Sequence, residues 1–128
     1  MSPIRWTTRW IAGWTLTALL GVLFVASAVF KFSAPNAKEE FAKMGLGDQL
    51  YLIACGELAS ALLFLLPRSF SLGVLLLSSY MGGAIVVHMT KGESYIPQSI
   101  LLLLIWLTAL LRQPEMFASL WTAPPSTK

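Results

Sequence analysis

The chain has 128 residues, of which 56% are hydrophobic and only 12% charged, too apolar a composition for a soluble domain of this size and one that points to a membrane protein. Its net charge of +3 comes from nine scattered Lys and Arg against six acids, with no basic patch or stripe, which excludes the electrostatic footprint of a nucleic-acid binder. A single cysteine, Cys55, excludes an intrachain disulfide, a CxxC redox pair and a cysteine zinc site, and reads as a small packing residue in a helix.

The first apolar segment covers residues 10–30, preceded by Arg5 and Arg9 and followed by Lys31. Ala26-Ser27-Ala28 has the form of a signal-peptidase site, but the stretch is about twenty residues, whereas the apolar region of a signal peptide is about 7 to 15. It therefore reads as a retained spanning helix. Gly13, Thr17 and Gly21, one helical turn apart, form a small-residue face for close packing. The polar connection 31–49 contains a short amphipathic helix, with Asn36 as its cap, Glu39 at the capping-box position, Phe41, Met44 and Leu46 on its apolar face, and Gly45 and Gly47 ending it. Asp48 is placed to cap the next helix.

The second segment, 50–66, stops at Pro67-Arg68, and the short linker makes it an antiparallel neighbour of the third, 72–89. Ser78, Ser79, Gly82, Gly83 and Ala84 give the third segment another face suited to close packing. The fourth segment, 95–111, has Pro97 in its first turn and ends at Arg112. Pro114, Pro124 and Pro125 mark a tail with little reason to be ordered beyond Trp121. The predicted architecture is all-α: one membrane domain, 1–128, forming a four-helix bundle. Basic residues near the segment ends, Arg5, Arg9, Arg68, Arg112 and Lys128 against Lys31, Lys38, Lys43 and Lys91, predict that both termini lie on the inner side and that the amphipathic helix lies in the first outer loop.

Glu57 is the functional anomaly, because an ionisable residue in a spanning helix is expensive and marks a candidate site. It lies seven residues inside the second segment, roughly 10 Å deep at 1.5 Å per residue. Lys31, His88 and Gln98 come from the other three segments at the same end of the bundle. Lys31 or His88 is the natural partner of Glu57, although Lys31 also has the alternative of snorkelling to the headgroups. Histidine adds proton switching near neutral pH. Met81 and Trp106 are candidate lining for a flat apolar ligand such as a quinone, although such residues fill bundle cores far more often. One His with one Glu supplies too few ligands for a zinc or iron site, so no bound metal is expected. No phosphate-binding loop or nucleophile elbow occurs, and no catalytic residue is assigned; the isolated chain is not expected to be an enzyme.

Ser27-Ala28-Val29-Phe30-Lys31-Phe32 followed by Pro35, Gly56-Glu57-Leu58 with Pro67-Arg68, Met81-Gly82-Gly83-Ala84 leading to His88, and Pro97 with Arg112 and Pro114 resemble the DoxX-like membrane proteins. The resemblance covers residues from about 15 to 114 and departs from the family pattern at Ala28, where Gly often follows the Ser, and at Phe32, where Leu often follows the Lys. It implies a compact four-helix bundle in which the family's Lys, Glu and His fall on Lys31, Glu57 and His88. It also implies a bacterial inner membrane protein linked to quinol or sulfur-compound oxidation complexes or to membrane redox and detoxification systems, while distant relatives assist membrane-protein assembly. Three functions are therefore expected in this order: a redox-associated subunit binding a quinone-like molecule, a non-enzymatic assembly or structural subunit of a larger membrane complex or homo-oligomer, and a proton-coupled transporter.

Overall fold

The computed structural model describes residues 3–121 and is all-helical. Four long helices account for most of it: α1 (Pro3–Ser33), α3 (Leu50–Leu65), α4 (Phe70–Thr90) and α5 (Ile96–Arg112). The short α2 (Ala37–Lys43) follows α1, and a final turn, α6 (Ala118–Trp121), closes the described chain. The long helices run alternately up and down, each packed on its neighbours in the order α1, α3, α4, α5 and back to α1. Three segments are long and apolar enough to cross a bilayer, Thr7–Ser33 within α1, Gly47–Leu65 including α3, and α4 itself, and α5 is an apolar helix of 17 residues, about 25 Å long.

The fold is apolar on both sides of its helices, and that decides its solvent. Leu20, Phe24, Ala61, Phe64, Phe70, Val74, Leu77, Met81, Ile105 and Ala109 form the core. Yet Leu19, Val22, Phe30, Leu52, Leu75, Val86 and Leu103 are exposed on the outer faces of the four helices. Water would penalise a contiguous apolar girdle of this kind, whereas lipid does not distinguish it from the core. Cys55 belongs to the exposed face of α3 and not to the packed interior.

Small residues set the helix spacing, though not all where the sequence suggests. In α1, Gly13, Thr17 and Gly21 are buried; a Cβ on Gly21 would lie 2.2 Å from the Leu65 side chain and one on Gly13 2.8 Å from the Arg112 stem. In α4 the close approach is made by Gly73, where a Cβ would fall 2.3 Å from the backbone nitrogen of Phe64. Gly82 and Gly83, expected to serve that purpose, have open space where a side chain would begin. Gly73→Ala is expected to force α3 and α4 apart at their tight Pro67 turn, costing about 1–3 kcal/mol, readable as a lowered midpoint in a denaturation assay in detergent. Gly82→Ala serves as the neutral control.

The caps also differ from expectation. Asn36 precedes α2 but makes no side-chain capping bond, so the predicted capping box with Glu39 does not form. Asp48 lies inside a 3-10 turn, Gly47–Gln49, and Gln49 takes the cap position of α3. The helix stops are made by the backbone. Gly45 (φ 74°) and Gly92 (φ 69°) adopt the left-handed conformation just past α2 and α4. The following residues donate back into the last turn, Leu46 N–H to Phe41 O at 2.8 Å and Glu93 N–H to His88 O at 3.0 Å. The first bond turns Leu46 back beside Phe41; the second returns the chain toward His88.

Candidate functional site

Along the inward stripe of α3, Leu50, Ala54, Ala61 and Phe64 are buried together with Glu57, which is 1% exposed. Alanines one turn before and after Glu57, with the fully buried Ala28 of α1, let the two helices approach closely around the carboxylate. Lys31, in the last turn of α1, points inward. Its ammonium donates to Glu57 Oε2 at 2.5 Å and to Ser27 Oγ, one turn earlier on α1, at 2.9 Å. It also lies 5.7 Å from the centroid of the Tyr80 ring on α4, within range of a cation–π attraction. The Tyr80 hydroxyl in turn interacts with Glu57. The ion pair therefore joins α1, α3 and α4 where water is scarce and unpaired charge is most costly.

His88 and Gln98 form a second polar group beside this pair. His88 Nδ1 lies 2.8 Å from the carbonyl of Ala84, and a carbonyl only accepts, so Nδ1 carries a proton. In the neutral ring Nε2 is then an acceptor, and the Gln98 amide N–H, 3.2 Å away, donates to it. That donation fixes the orientation of the amide. Its other end, Gln98 Oε1, is buried and has no hydrogen-bond partner, the only such side-chain atom among the described residues. Glu93 Oε2 is 3.8 Å from His88 Nε2 and Glu93 Oε1 is 3.0 Å from the Lys91 ammonium, placing a charged pair at the rim.

Both polar groups open onto one cavity of about 720 Å³ between the upper halves of the helices. Lys31, Glu57, His88, Gln98 and Met81 all line it, and apolar wall is supplied by Leu23, Phe24, Ala84 and Leu101. Phe41, Met44 and Leu46 of the α2 segment cover it from the side of the first connection. Glu40 of α2 also borders the cavity; the Lys43 ammonium beside it holds its carboxyl below the ordinary value. Cavity and core divide the bundle: Met81 is 2% exposed, and beyond it Phe64, Phe70, Leu77 and Ile105 fill the other half.

Of the residues singled out in the sequence, Trp106 alone lies away from the cavity. It is two turns beyond Gln98 on α5, about 12 Å along the axis, and packs edge-on against Phe117 with ring centroids 5.6 Å apart. Glu57 and His88 are not direct partners: Glu57 pairs with Lys31, and His88 bonds to Gln98, with the Glu93 carboxylate nearby. Sequence reasoning missed Ser27, Tyr80 and Glu93. Ser27 stands one turn before Lys31 and Tyr80 is a phenol inside an apolar helix, two readable signals. Glu93 is brought back by the glycine stop after α4, a turn geometry the sequence pattern leaves implicit.

The profile of the DoxX-like family matches residues 15–111, a span that runs from α1 almost to the end of α5 and includes Lys31, Glu57, His88 and Gln98. No curated protein and no solved structure matched the chain.

Proposed function

The chain belongs to the DoxX-like family, and from that premise and the geometry of its cavity we propose that it is a redox-associated binding subunit for an apolar molecule with an oxygen-bearing end, of the quinone and quinol class. The observation that carries the reading is Gln98, which borders a cavity of about 720 Å³ and whose buried Oε1 finds no donor among the described residues. That volume falls within the range of small-molecule sites. Buried acceptors are nearly always satisfied, and here a ligand hydroxyl is the missing donor. The Lys31 ammonium, already held by Glu57, offers a charge to a second oxygen, and the apolar wall accommodates a ring and tail. No covalent step is assigned to these residues.

The proposed setting is the bacterial inner membrane, with both termini inside and the cavity in the outer half. The basic residues near the helix ends, Arg5, Arg9, Arg68, Arg112 and Lys128 against Lys31, Lys38, Lys43 and Lys91, support that orientation.

Replacing Gln98 by Leu tests the reading directly. The variant removes an unsatisfied oxygen but also the amide donor to His88 Nε2, two effects of opposite sign, so stability is expected to change by less than about 1 kcal/mol. Affinity for a short-chain benzoquinol, measured by fluorescence titration in detergent, is expected to fall about tenfold, the worth of one hydrogen bond of about 1.4 kcal/mol. Unchanged quinol affinity would remove the proposed anchor.

A second reading, an assembly or structural subunit of a larger membrane complex or homo-oligomer, is favoured by the self-contained Lys31–Glu57 pair, which ties α1 to α3 without needing a ligand. Proton-coupled transport would require a polar route through the half occupied by Phe64, Phe70, Leu77 and Ile105, which are apolar and fully buried.

A further inference from the structure

At the end of the bundle opposite the cavity, two arginines converge on a smaller pocket of about 200 Å³, lined also by Trp10, Trp14, Leu111 and Gln113. Arg112, the last residue of α5, lies with its guanidinium carbon 3.9 Å from the Trp14 ring centroid and 4.0 Å from that of Phe70. Gly13 makes this placement possible, since a Cβ there would meet the Arg112 stem at 2.8 Å. Arg112 donates a long hydrogen bond of 3.3 Å to Thr17 Oγ1. Arg9 donates through Nε to the Leu111 carbonyl at 2.9 Å, which fixes its direction. Beyond that bond the terminal amino groups of Arg9 make no hydrogen bond among the described residues, and neither arginine has a carboxylate partner there.

Two positioned guanidiniums share one pocket with no carboxylate partner among the described residues, and an anion seated there would supply the missing counter-charge. Guanidinium forks match phosphate oxygens in geometry as well as charge. The flanking tryptophans are residue types that favour the headgroup layer. We propose that Arg9 and Arg112 form a binding site for an anionic phosphate group, as carried by a phospholipid headgroup or by a free phosphate ion. A phosphate seated there would bridge the start of α1 and the end of α5, stapling the terminal helices together. The site is separate from the quinone-class cavity and stands whether or not that cavity is occupied.

The test uses the full chain in neutral detergent, with phosphatidylglycerol compared against diacylglycerol, which has the same chains and no phosphate. Native mass spectrometry of the wild type is expected to show at least tenfold greater retention of phosphatidylglycerol, weakening as salt is raised. Arg9→Gln is expected to abolish that preference and Arg9→Lys to restore part of it. Millimolar inorganic phosphate, added without lipid, separates the two sources. If it raises the melting temperature of the wild type but not of Arg9→Gln, the site accepts the free ion; if only phosphatidylglycerol does so, it is a headgroup site. Equal retention of the two lipids by the wild type, with no effect of inorganic phosphate, would overturn the proposal without reference to any variant. An undiminished lipid preference in Arg9→Gln would also overturn it.

Discussion

Glu57→Leu alone is expected to destabilise the bundle by about 3–5 kcal/mol, and Lys31→Met alone by a similar amount, because each leaves its partner as an uncompensated charge at a buried site. The Lys31 side chain is 12% exposed and that of Glu57 1%, so neither remaining charge is well placed to recover full hydration. Lys31 has the longer stem and lies in the last turn of α1, so Glu57→Leu leaves a charge with some route to the headgroups, while Lys31→Met strands a carboxylate deep in α3. Lys31→Met is therefore expected to be the worse of the two. The double variant, Lys31→Met with Glu57→Leu, replaces the pair by apolar groups of similar size and is expected to recover most of the lost stability. Equilibrium unfolding in mixed micelles reads all three. The double variant also separates the two leading functions: if it folds and still assembles but no longer binds a benzoquinol, the pair serves the ligand; if it folds and loses nothing, the pair is not needed for either.

Gly83→Phe is expected to leave folding intact and to lower benzoquinol affinity at least a hundredfold. Gly83 borders the cavity, and a Cβ built there meets nothing within 4 Å, so the added side chain starts in open space beside the cavity. Glycine inside a helix costs about 0.5–1 kcal/mol relative to alanine, and its replacement removes that penalty, so the melting temperature should not fall. Reduced affinity without reduced stability is the signature of an occupied site being filled. A structural role for the cavity end predicts the opposite pattern, with stability rising and assembly unaffected while no binding is lost.

The four long helices were legible because each is a long apolar run ended by Pro, Gly or a charged residue, and the observed bounds stay within a few residues of the expected ones except at the start of α1. There the helix begins at Pro3, since Arg5 and Arg9 are good helix formers whose charge stops an apolar run but not a helix. The inward turn of Lys31 was not legible. A lysine at a helix end has two available directions, and the choice was made by Ser27, Ala28 and the small residues flanking Glu57, which matter only once α1 and α3 are side by side. His88 and Gln98 were readable as polar residues at one end, but their mutual bond and the stranded Gln98 oxygen depend on the Ala84 carbonyl fixing the imidazole proton. Sequence spacing carries no record of a tautomer. The glycines of α4 were misread for a related reason: Gly73, Gly82 and Gly83 look alike in the chain, and only the approach of the Phe64 backbone distinguishes the contact from the open wall.

The central claim is that a quinone-class molecule occupies the cavity above Met81 with its oxygen-bearing end at Gln98 and the Lys31–Glu57 pair. Photolabelling with a short-chain azidoquinone in vesicles, followed by peptide mapping, tests it most directly. Labels concentrated on cavity residues such as Phe24, Ala84 and Leu101, and suppressed by excess unlabelled benzoquinol, are the predicted result. Labels spread over the lipid-facing Leu19, Val22 and Leu103, and insensitive to competition, would contradict it.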